Sequence, residues 1–551
     1  MTDIYTQMVF EARRLFGRLA AGSWCNRIAL VVISILALLA LTWCVSSLWL
    51  PYGWDHGVFG AVSDVIRRGG VPYRDIWEMK GPVALYLYAA VQGVGHPQMW
   101  GVRVLDLIFL AGAAYAGFNL VSSHVGRGAA AFGVATTVLG FAGFGNWYTA
   151  QPDDWAAQLL VVLVWLLVAP GRSGLRLAIA AGLLGLLCML KPTYGLVSVL
   201  FVPVLLRNEQ GAWRVDLPNA VLVLAATALP IVLILGYLGM HGALGALFDQ
   251  HIAFNFEHVA SDAHLQMPLW RIVQLTASIV TGTPELAAAL PVAMLGAIVA
   301  WRRDDGLLGK LLALWLPVAL LTVAIQHKFL LHNYSWHPAY PPMLLGASIG
   351  IGWLWKEAQS RVELKTVALG SALLISYFVA KEPATQTAAW LRWCVSGQSL
   401  ANYHASFESR LPWLANQTPM EAFGFSVSRD VRFAEYVRAQ TPVGSEVLVW
   451  TDPLINYLSD RPSPTPITTP EAFTIWGTEA RRARYRSELA RAIKDRRAAL
   501  IGVPSFALQP TGDPEFNLNT GFPEFVQALG EAYERAGEFE NLQLFRPRQD
   551  R

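Results

Sequence analysis

Residues 28–50 read IALVVISILALLALTWCVSSLWL, and residues 51–82 read PYGWDHGVFGAVSDVIRRGGVPYRDIWEMKGP. The first stretch has no Asp, Glu, Lys or Arg and exceeds the roughly 20 apolar residues that a helix needs to cross a bilayer. The second stretch places acidic and basic side chains in a loop directly after that helix. Charges this close to hydrocarbon are costly and usually functional. Together the stretches predict a membrane-embedded fold with a charged site at one membrane surface.

The composition of the 551-residue chain extends this prediction to most of its length. Hydrophobic residues make up 54% and charged residues 15%, with a mean hydropathy of +0.39, whereas an ordinary soluble domain is about 25% charged. Residues 1–381 contain 24 Lys and Arg and 19 Asp and Glu, while the much shorter remainder contains 18 and 20. We therefore expect a cytoplasmic N-terminus at 1–27, a membrane domain at 28–381 and a soluble domain at 382–551.

Charge and cysteine patterns exclude several classes of protein. The net charge is +3 and no block of Lys or Arg occurs, so nucleic acid is not an expected partner. The four cysteines show no metal-like spacing and predict neither a zinc site nor a disulfide framework. Basic residues precede the first apolar run, but no small-residue cleavage site follows it, so we expect a retained transmembrane helix rather than a signal peptide.

Eleven apolar stretches are candidate spans: 28–50, 99–121, 128–146, 154–170, 173–190, 192–207, 217–238, 284–301, 307–326, 337–356 and 364–381. The stretch Pro82–Gly95 has only 14 residues, so we expect it to lie in the interface. With the N-terminus inside, every cytoplasmic loop is then basic, as the positive-inside rule requires. The loop residues are Arg127, Arg172, Arg176, Arg207, Arg214, Arg302, Arg303, Lys310, Lys356, Arg361 and Lys365. This count puts the C-terminal domain outside.

The same arrangement collects the ionisable residues of the membrane half at the outer face. Nine of its 17 acidic residues and eight of its ten histidines lie in segments 55–80, 146–154, 241–271 and 327–337, with Lys191 beside them. An active site that opens to the outside would need such a distribution.

Residues 382–551 alternate helical and strand-like patterns, which predicts a small α/β domain. We expect helices at Arg429–Gln440 and 479–497, and strands at 446–450, 500–503 and 541–545. Four prolines between 462 and 470 predict an extended loop.

The first outer loop resembles that of the GT-C superfamily of integral-membrane glycosyltransferases. Its Asp55-His56-Gly57 opening and its PYRDIWEMKGP ending are similar to bacterial glycosyltransferase family 39 and the lipid A aminoarabinose transferases. Later motifs follow in the same order over about 28–381. They are Gln151-Pro152-Asp153-Asp154, Leu190-Lys191-Pro192-Thr193, His332-Asn333-Tyr334 and the prolines from Pro338 to Pro342. The resemblance implies a polytopic α-helical protein of about 11 transmembrane helices with the GT-C fold and an extracytoplasmic α/β domain.

This resemblance also implies a function and a location. The donor would be a polyprenyl-phosphate-linked sugar, and transfer with inversion would take place on the outer face of a bacterial inner membrane. The acceptor would be an extracytoplasmic glycan, lipid or protein in the periplasm, and membrane lipids would surround the enzyme. The sequence does not distinguish among these acceptors.

The loop residues fit that chemistry. An acceptor hydroxyl needs a carboxylate to take its proton, and Asp55 is our candidate general base. Cations at the membrane surface stabilise the departing phosphate; the first candidate is Lys80, followed by Lys191, Arg271, Lys328 and His332. Candidate sugar or acceptor contacts are Arg74, Asp75, Glu78, Asp153, Asp154 and Tyr334.

Two departures from the family limit what can be transferred from it. Members often have Asp-Glu where this chain has Asp55-His56. Aminoarabinose transferases have Glu directly before the loop lysine, where this chain has Met79. These differences weaken the inference of aminoarabinose as the sugar and of a shared metal site.

Structural interpretations compete at each position. Asp55 could cap the following helix, Lys80 and Lys328 could anchor at the bilayer edge, and Asp153 and Asp154 could start a helix. A divalent cation is the one candidate cofactor, with candidate ligands at His56, His251 and His258. The alternative functions are a transporter or flippase for a lipid-linked glycan and a non-catalytic membrane scaffold.

Overall fold

The computed structural model describes residues 23–95, 99–169, 173–209, 212–261, 270, 274, 277, 283–302, 306–326, 333–357, 361–408, 426–450, 453–469, 471–474, 477–509 and 517–549. The first part of this chain is built from helices. Those of eight or more residues are α1 Ser23–Ser47, α2 Trp54–Arg67, α3 Pro82–Gly95, α4 Trp100–Val125, α5 Arg127–Ala142, α6 Pro152–Val168, α7 Gly174–Leu190, α8 Leu217–Met240, α9 Phe254–Ser261, α10 Pro284–Trp301, α11 Leu307–Gln326, α12 Tyr340–Glu357 and α13 Val362–Ser396. A 3₁₀ segment, Pro192–Phe201, follows α7, and a second one, Asn333–Ala339, precedes α12.

Six of the helices in the described part of the chain are long and apolar enough to cross a bilayer, namely α1, α4, α8, α10, α11 and α13. Further apolar helices of 10–17 residues include α3, α5 and α7. The chain is therefore a multi-pass membrane protein, as predicted, while the count of eleven spans stays a prediction. The last apolar helix continues to Ser396, past the predicted end of its span at Lys381.

Small residues allow helices α10 and α12 to pack closely in the membrane half. A Cβ on Gly296 of α10 would lie 2.0 Å from the carbonyl oxygen of Gly346 on α12. Likewise, a Cβ on Gly350 of α12 would lie 2.3 Å from the carbonyl oxygen of Val292 on α10. Backbones approach this closely only where side chains are absent, which is the usual way that membrane helices pack. A larger residue at either glycine would force α10 and α12 apart.

The C-terminal part contains helices α14 Leu400–Glu408, α15 Val427–Gln440, α16 Leu454–Ser459, α17 Glu479–Lys494 and α18 Pro523–Ala532. Apart from a two-stranded hairpin in the membrane half, β1 Leu206–Glu209 with β2 Ala212–Val215, the described strands form one sheet. They are β3 Glu446–Val449, β4 Ala498–Pro504, β5 Tyr533–Phe539 and β6 Leu542–Pro547, in the order β3-β4-β6-β5. The β3–β4 pair is parallel and the other two pairs are antiparallel. The predicted α/β alternation is confirmed.

Strand β5 has no counterpart in the predicted pattern. Its sequence YERAGEF exposes most of its side chains and contains a register shift between Arg535 and Gly537. An edge strand with a bulge lacks the apolar alternation by which a half-buried strand is identified. Pairing with β6 rather than local composition therefore makes this segment a strand.

The C-terminal part packs on α2 and on the loop that follows it. Tyr457 of α16 lies against Gly60 of α2, where an added Cβ would be 2.9 Å from the ring. Arg68 pairs with Asp460 at 2.5 Å, and the backbone N–H of Trp77 donates to the carbonyl of Pro466 at 3.0 Å. Helix α2 and the loop that follows it are thus enclosed between the two halves of the molecule.

Candidate active site

Asp55 lies in the first turn of α2 and is about one-fifth exposed. It is not the cap of that helix. Gly53 occupies the cap position, and its N–H donates to Nδ1 of His56 at 2.8 Å. The helix dipole favours a carboxylate in the first turn, but the side chain of Asp55 is directed to Lys80, with Oδ2 3.8 Å from Nζ.

His56 and Arg103 hold the start of α2 in place. Nε2 of the buried His56 lies 2.8 Å from the carbonyl oxygen of Thr149, so with Nδ1 accepting from Gly53 the ring is the neutral tautomer that donates from Nε2. Arg103, on α4, donates to the carbonyls of Pro51, Asn146 and Thr149 at 2.9–3.1 Å. Both ring nitrogens of His56 are engaged in this arrangement, which leaves neither for a metal.

Lys80 is placed by a loop that folds around Glu78. One carboxylate oxygen of Glu78 accepts from the N–H groups of Met79 and Lys80 at 2.8 and 2.9 Å. The hydroxyl of Tyr73 donates to the carbonyl of Lys80 at 2.6 Å, and Tyr73 itself has a positive φ of 70°. The loop backbone is therefore fixed on both sides of Lys80, and its side chain remains about one-fifth exposed.

A second charged pair lies beside the first. Nζ of Lys191 lies 3.0 Å from Oδ2 of Asp153, and Oδ1 of the same carboxylate accepts from the hydroxyl of Tyr194 at 2.6 Å. Burial lowers the pKa of Lys191, while Asp153 acts in the opposite direction. The charges of Lys80 and Asp55 also act on Lys191. Two lysines and two carboxylates thus converge from α2, the Lys80 loop, α6 and the end of α7.

Gly81 allows this convergence. A Cβ at Gly81 would lie 2.2 and 2.3 Å from the carbonyl oxygens of Met189 and Leu190, the last residues of α7. The loop that carries Lys80 can therefore touch the end of the helix that precedes Lys191 only with glycine at this position.

We expect Gly81→Ala to destabilise the protein by about 1–3 kcal/mol, because rigid backbone atoms cannot give way. It should also separate Lys80 from Lys191. Gly128→Ala is the matched control, since no atom lies within 4 Å of its added Cβ. Thermal unfolding of the two purified variants measures the difference, and equal melting temperatures would contradict the prediction.

His251 and Asn255 contact the same loop from the segment after α8. Nδ1 of His251 donates to the carbonyl of Met79 at 2.8 Å, and the amide of Asn255 donates to the same oxygen at 3.1 Å. Burial lowers the pKa of His251, and the charges of Lys80 and Lys191 lower it further. His251 therefore belongs to the Lys80 surroundings, and its side chain supports the loop backbone.

The remaining predicted residues have varied positions. Asp154 is buried in α6, where it accepts from the N–H of Ala150 and from Gln158. Arg74 and Asp75 form an exposed ion pair at 2.7 Å, and Asp75 also accepts from the N–H of Val71.

Other predicted residues are located only by their position in the chain. Tyr334 lies in the 3₁₀ segment before α12, and His258 lies in α9. Arg271, Lys328 and His332 lie outside the described residues. No grouping of three or more His, Cys, Asp or Glu with metal-binding geometry occurs in the described part.

Several site residues carried no recognisable signal in the sequence. Tyr194 lies in an apolar run and Gln250 in a polar one, yet Tyr194 binds Asp153, and Gln250 donates to the carbonyl of Tyr73 and accepts from the N–H of Glu78. Arg103 and Asp106 are the two charged residues of an otherwise apolar stretch, and this could have marked Arg103 as a membrane-depth residue with a partner.

Glu78 gives the site a pH dependence. Burial raises its pKa from 4.5 to about 7, since the charged form loses water. A carboxyl whose pKa is higher in the folded state contributes stability that is complete below its unfolded pKa and is lost as the pH rises through the folded pKa.

We therefore expect the stability of the parent, relative to Glu78→Gln, to decrease between about pH 5 and about pH 8. Melting temperatures of both proteins across this range test the effect. Parallel curves for the two proteins would show that Glu78 does not titrate there.

A separate cavity of about 260 Å³ lies between α2, the 71–76 turn and the proline-rich loop of the C-terminal domain. Its wall includes Asp64, Arg68, Ser463 and Arg497, and it does not include Asp55 or Lys80. The hydroxyl of Thr468, also at this wall, is buried and has no hydrogen-bond partner among the described residues. Polar groups of both signs at a junction between two parts of a chain are typical of a small-ligand site.

No protein-family model matches the chain, and no curated protein matches it. Its structure is similar to the crystal structure of ArnT from Cupriavidus metallidurans bound to undecaprenyl phosphate, with a TM-score of 0.56 at 14% identity over 94% of this chain and 97% of that chain. The apo structure of that ArnT gives a TM-score of 0.54 at 13% identity over the same shares. ArnT is a lipid A aminoarabinose transferase of the GT-C class. The chain has the GT-C fold, and the predicted fold class is confirmed.

Proposed function

We propose that the chain transfers a sugar from a polyprenyl-phosphate donor to an extracytoplasmic acceptor, with inversion at the anomeric carbon. The observation that carries the proposal is the pairing of Asp55 with Lys80 at 3.8 Å, beside the Asp153–Lys191 pair. The GT-C fold supports it, as does the undecaprenyl phosphate bound to the similar ArnT. A general base and two cations in one partly exposed cluster suit a reaction that moves a proton and releases a phosphate.

Each group has a role in the proposed reaction. The acceptor oxygen forms its bond to the anomeric carbon while the bond from that carbon to the phosphate oxygen breaks. Asp55 takes the proton from the acceptor oxygen. Lys80 and Lys191 hold the polyprenyl phosphate as negative charge builds on its oxygen, and Asp153 and Tyr194 keep Lys191 in position. Preorganised charge is worth more here than in water because the site is only partly exposed.

We place this cluster on the periplasmic side of a bacterial inner membrane. The loops with Asp55, Asp153 and Lys191 would lie outside, and the basic loops with Arg176 and Arg214 would lie inside. The C-terminal domain would then lie over the outer face, in line with its packing on α2.

Comparison of the cell envelope with and without this protein tests the function. Mass analysis should show one component that loses the mass of a single sugar when the protein is absent. The protein purified in detergent should then transfer that sugar from its polyprenyl phosphate to the same component. A flippase would change the envelope in cells but would show no transfer in detergent, and that result would overturn the proposal.

We further propose that the C-terminal domain helps to select the acceptor, with the 260 Å³ cavity as an acceptor subsite. Ser463→Trp would fill this cavity, and we expect it to raise the KM for the identified acceptor about tenfold, equal to about 1.4 kcal/mol of binding. The KM for the donor should not change. Ser487→Trp, on the exposed face of α17, is the matched control. Equal acceptor KM values in the two variants would exclude the cavity as a subsite.

A further inference from the structure

Arg481 connects the C-terminal domain to the membrane half. It lies on α17 and is only 8% exposed. Its guanidinium donates to Asp249 at 2.8 Å and, through two nitrogens, to both carboxylate oxygens of Glu257 at 2.8 and 3.0 Å. The same group lies 5.7 Å from the ring centroid of Phe254. A forked, buried guanidinium between two carboxylates fixes geometry as well as adding binding energy.

The segment that Arg481 holds is the one that supports the Lys80 loop. Asp249 and Glu257 stand on either side of His251 and Asn255, which both donate to the carbonyl of Met79. Gln250, next to Asp249, donates to the carbonyl of Tyr73 and accepts from the N–H of Glu78. The loop backbone on either side of Glu78 therefore rests on this short segment.

Trp77 makes a second contact between the Lys80 loop and α17. Its indole N–H donates to the hydroxyl of Tyr485, one turn after Arg481 on α17, at 3.0 Å. Its ring meets that of Phe254 edge to face, with centroids 5.1 Å apart. Helix α17, the 248–261 segment and the Lys80 loop thus form one continuous packed unit.

We propose that Arg481 is a positioning residue for the donor-phosphate site. The C-terminal domain would set the position of Lys80 through Arg481 and the 248–261 segment, in addition to any contact it makes with the acceptor. The proposal rests on the proposed function, since it assigns Lys80 to the donor phosphate. Displacement of a binding group by about 1 Å is enough to cost about 100-fold in rate, so loss of this support should affect donor use for every acceptor.

The test compares Arg481→Gln with Arg484→Gln in the full-length protein. Both variants remove one positive charge from α17, but Arg484 is 62% exposed and reaches Asp249 only at 3.5 Å. We expect Arg481→Gln to raise the donor KM at least about tenfold, a loss of about 1.4 kcal/mol of binding, with the acceptor KM unchanged. Arg484→Gln should resemble the parent, and Arg481→Lys should recover part of the loss.

Hydrogen exchange gives a readout that does not depend on activity. Exchange at the amides of Met79 and Lys80, which donate to Glu78, should be faster in Arg481→Gln and unchanged in Arg484→Gln. If the parent shows no transfer at all, the proposed function fails, and the exchange rates still decide whether Arg481 positions the loop. Unchanged exchange and an unchanged donor KM in a folded Arg481→Gln would overturn the proposal.

A third variant covers the case in which Arg481→Gln does not fold. Glu257→Gln leaves α17 unchanged and removes the carboxylate that accepts two of the guanidinium hydrogen bonds. The same increases in donor KM and in loop exchange are expected. Parent-like values for Glu257→Gln would then overturn the proposal.

Discussion

Asp55→Asn is expected to reduce transfer by about 100- to 10,000-fold, the usual contribution of a general base. Asparagine keeps the size and polarity of the side chain but cannot accept the proton of the acceptor hydroxyl. Because Gly53 and His56 cap α2, the structural cost is limited to the interactions of the carboxylate with the helix dipole and with Lys80, each worth about 1 kcal/mol or less. Transfer from the purified donor, with the melting temperature measured in parallel, tests this.

Asp216→Asn is the matched control for this exchange. Asp216 caps α8 by accepting from the N–H of Asn219, and we assign it no part in the chemistry, so its variant should transfer sugar at the parental rate. Asp55→Asn should still bind the donor. Turnover of Asp55→Asn within a few-fold of the parent would move the role of base to Asp153 or Asp154.

Lys80→Met is expected to lower the rate by about 100- to 1,000-fold, as the loss of one preorganised group facing a developing oxyanion does. Unlike Asp55→Asn, it should also weaken donor binding, because the charge faces the phosphate both before and during the reaction. The loop should keep its shape, since Glu78 and Tyr73 bind the backbone of residue 80 and not its side chain.

Lys356→Met is the control for Lys80→Met. Lys356 is exposed near the end of α12, where a lysine anchors a helix at the bilayer edge. If both variants showed the same small loss, Lys80 would be an anchor as well. A donor Kd and a transfer rate measured for each variant separate the two roles.

Much of the fold was predictable from local patterns. Long apolar runs such as 217–238 and 284–301 became α8 and α10 with nearly the predicted bounds, because a helix is the structure that satisfies its own backbone in hydrocarbon. The strands β3, β4 and β6 followed from short runs of apolar residues. Strand β5 did not, since its residues become a strand only through the partner beside them.

The candidate site was predictable in part. Asp55, Lys80, Asp153 and Lys191 could be identified because they border apolar spans and belong to motifs that resemble a known family. Their mutual distances were not predictable, and neither was the cap of α2, which belongs to Gly53 and His56. Arg481 could not be identified at all, because its helix contains many arginines and its two carboxylate partners lie more than 200 residues earlier in the chain.

The sequence by itself determined that this is a multi-pass membrane protein with a charged loop after its first apolar helix and an α/β C-terminal part. These properties depend on hydrophobicity and on its periodicity over short windows of sequence, so they can be recognised without knowledge of distant contacts. Only the tertiary structure decided that Lys80 faces Asp55, that Gly81 lies on the end of α7, and that α17 supports the Lys80 loop. Such contacts join residues far apart in the chain, and they form because close backbone approach and the pairing of buried charges stabilise one packing of the helices over others.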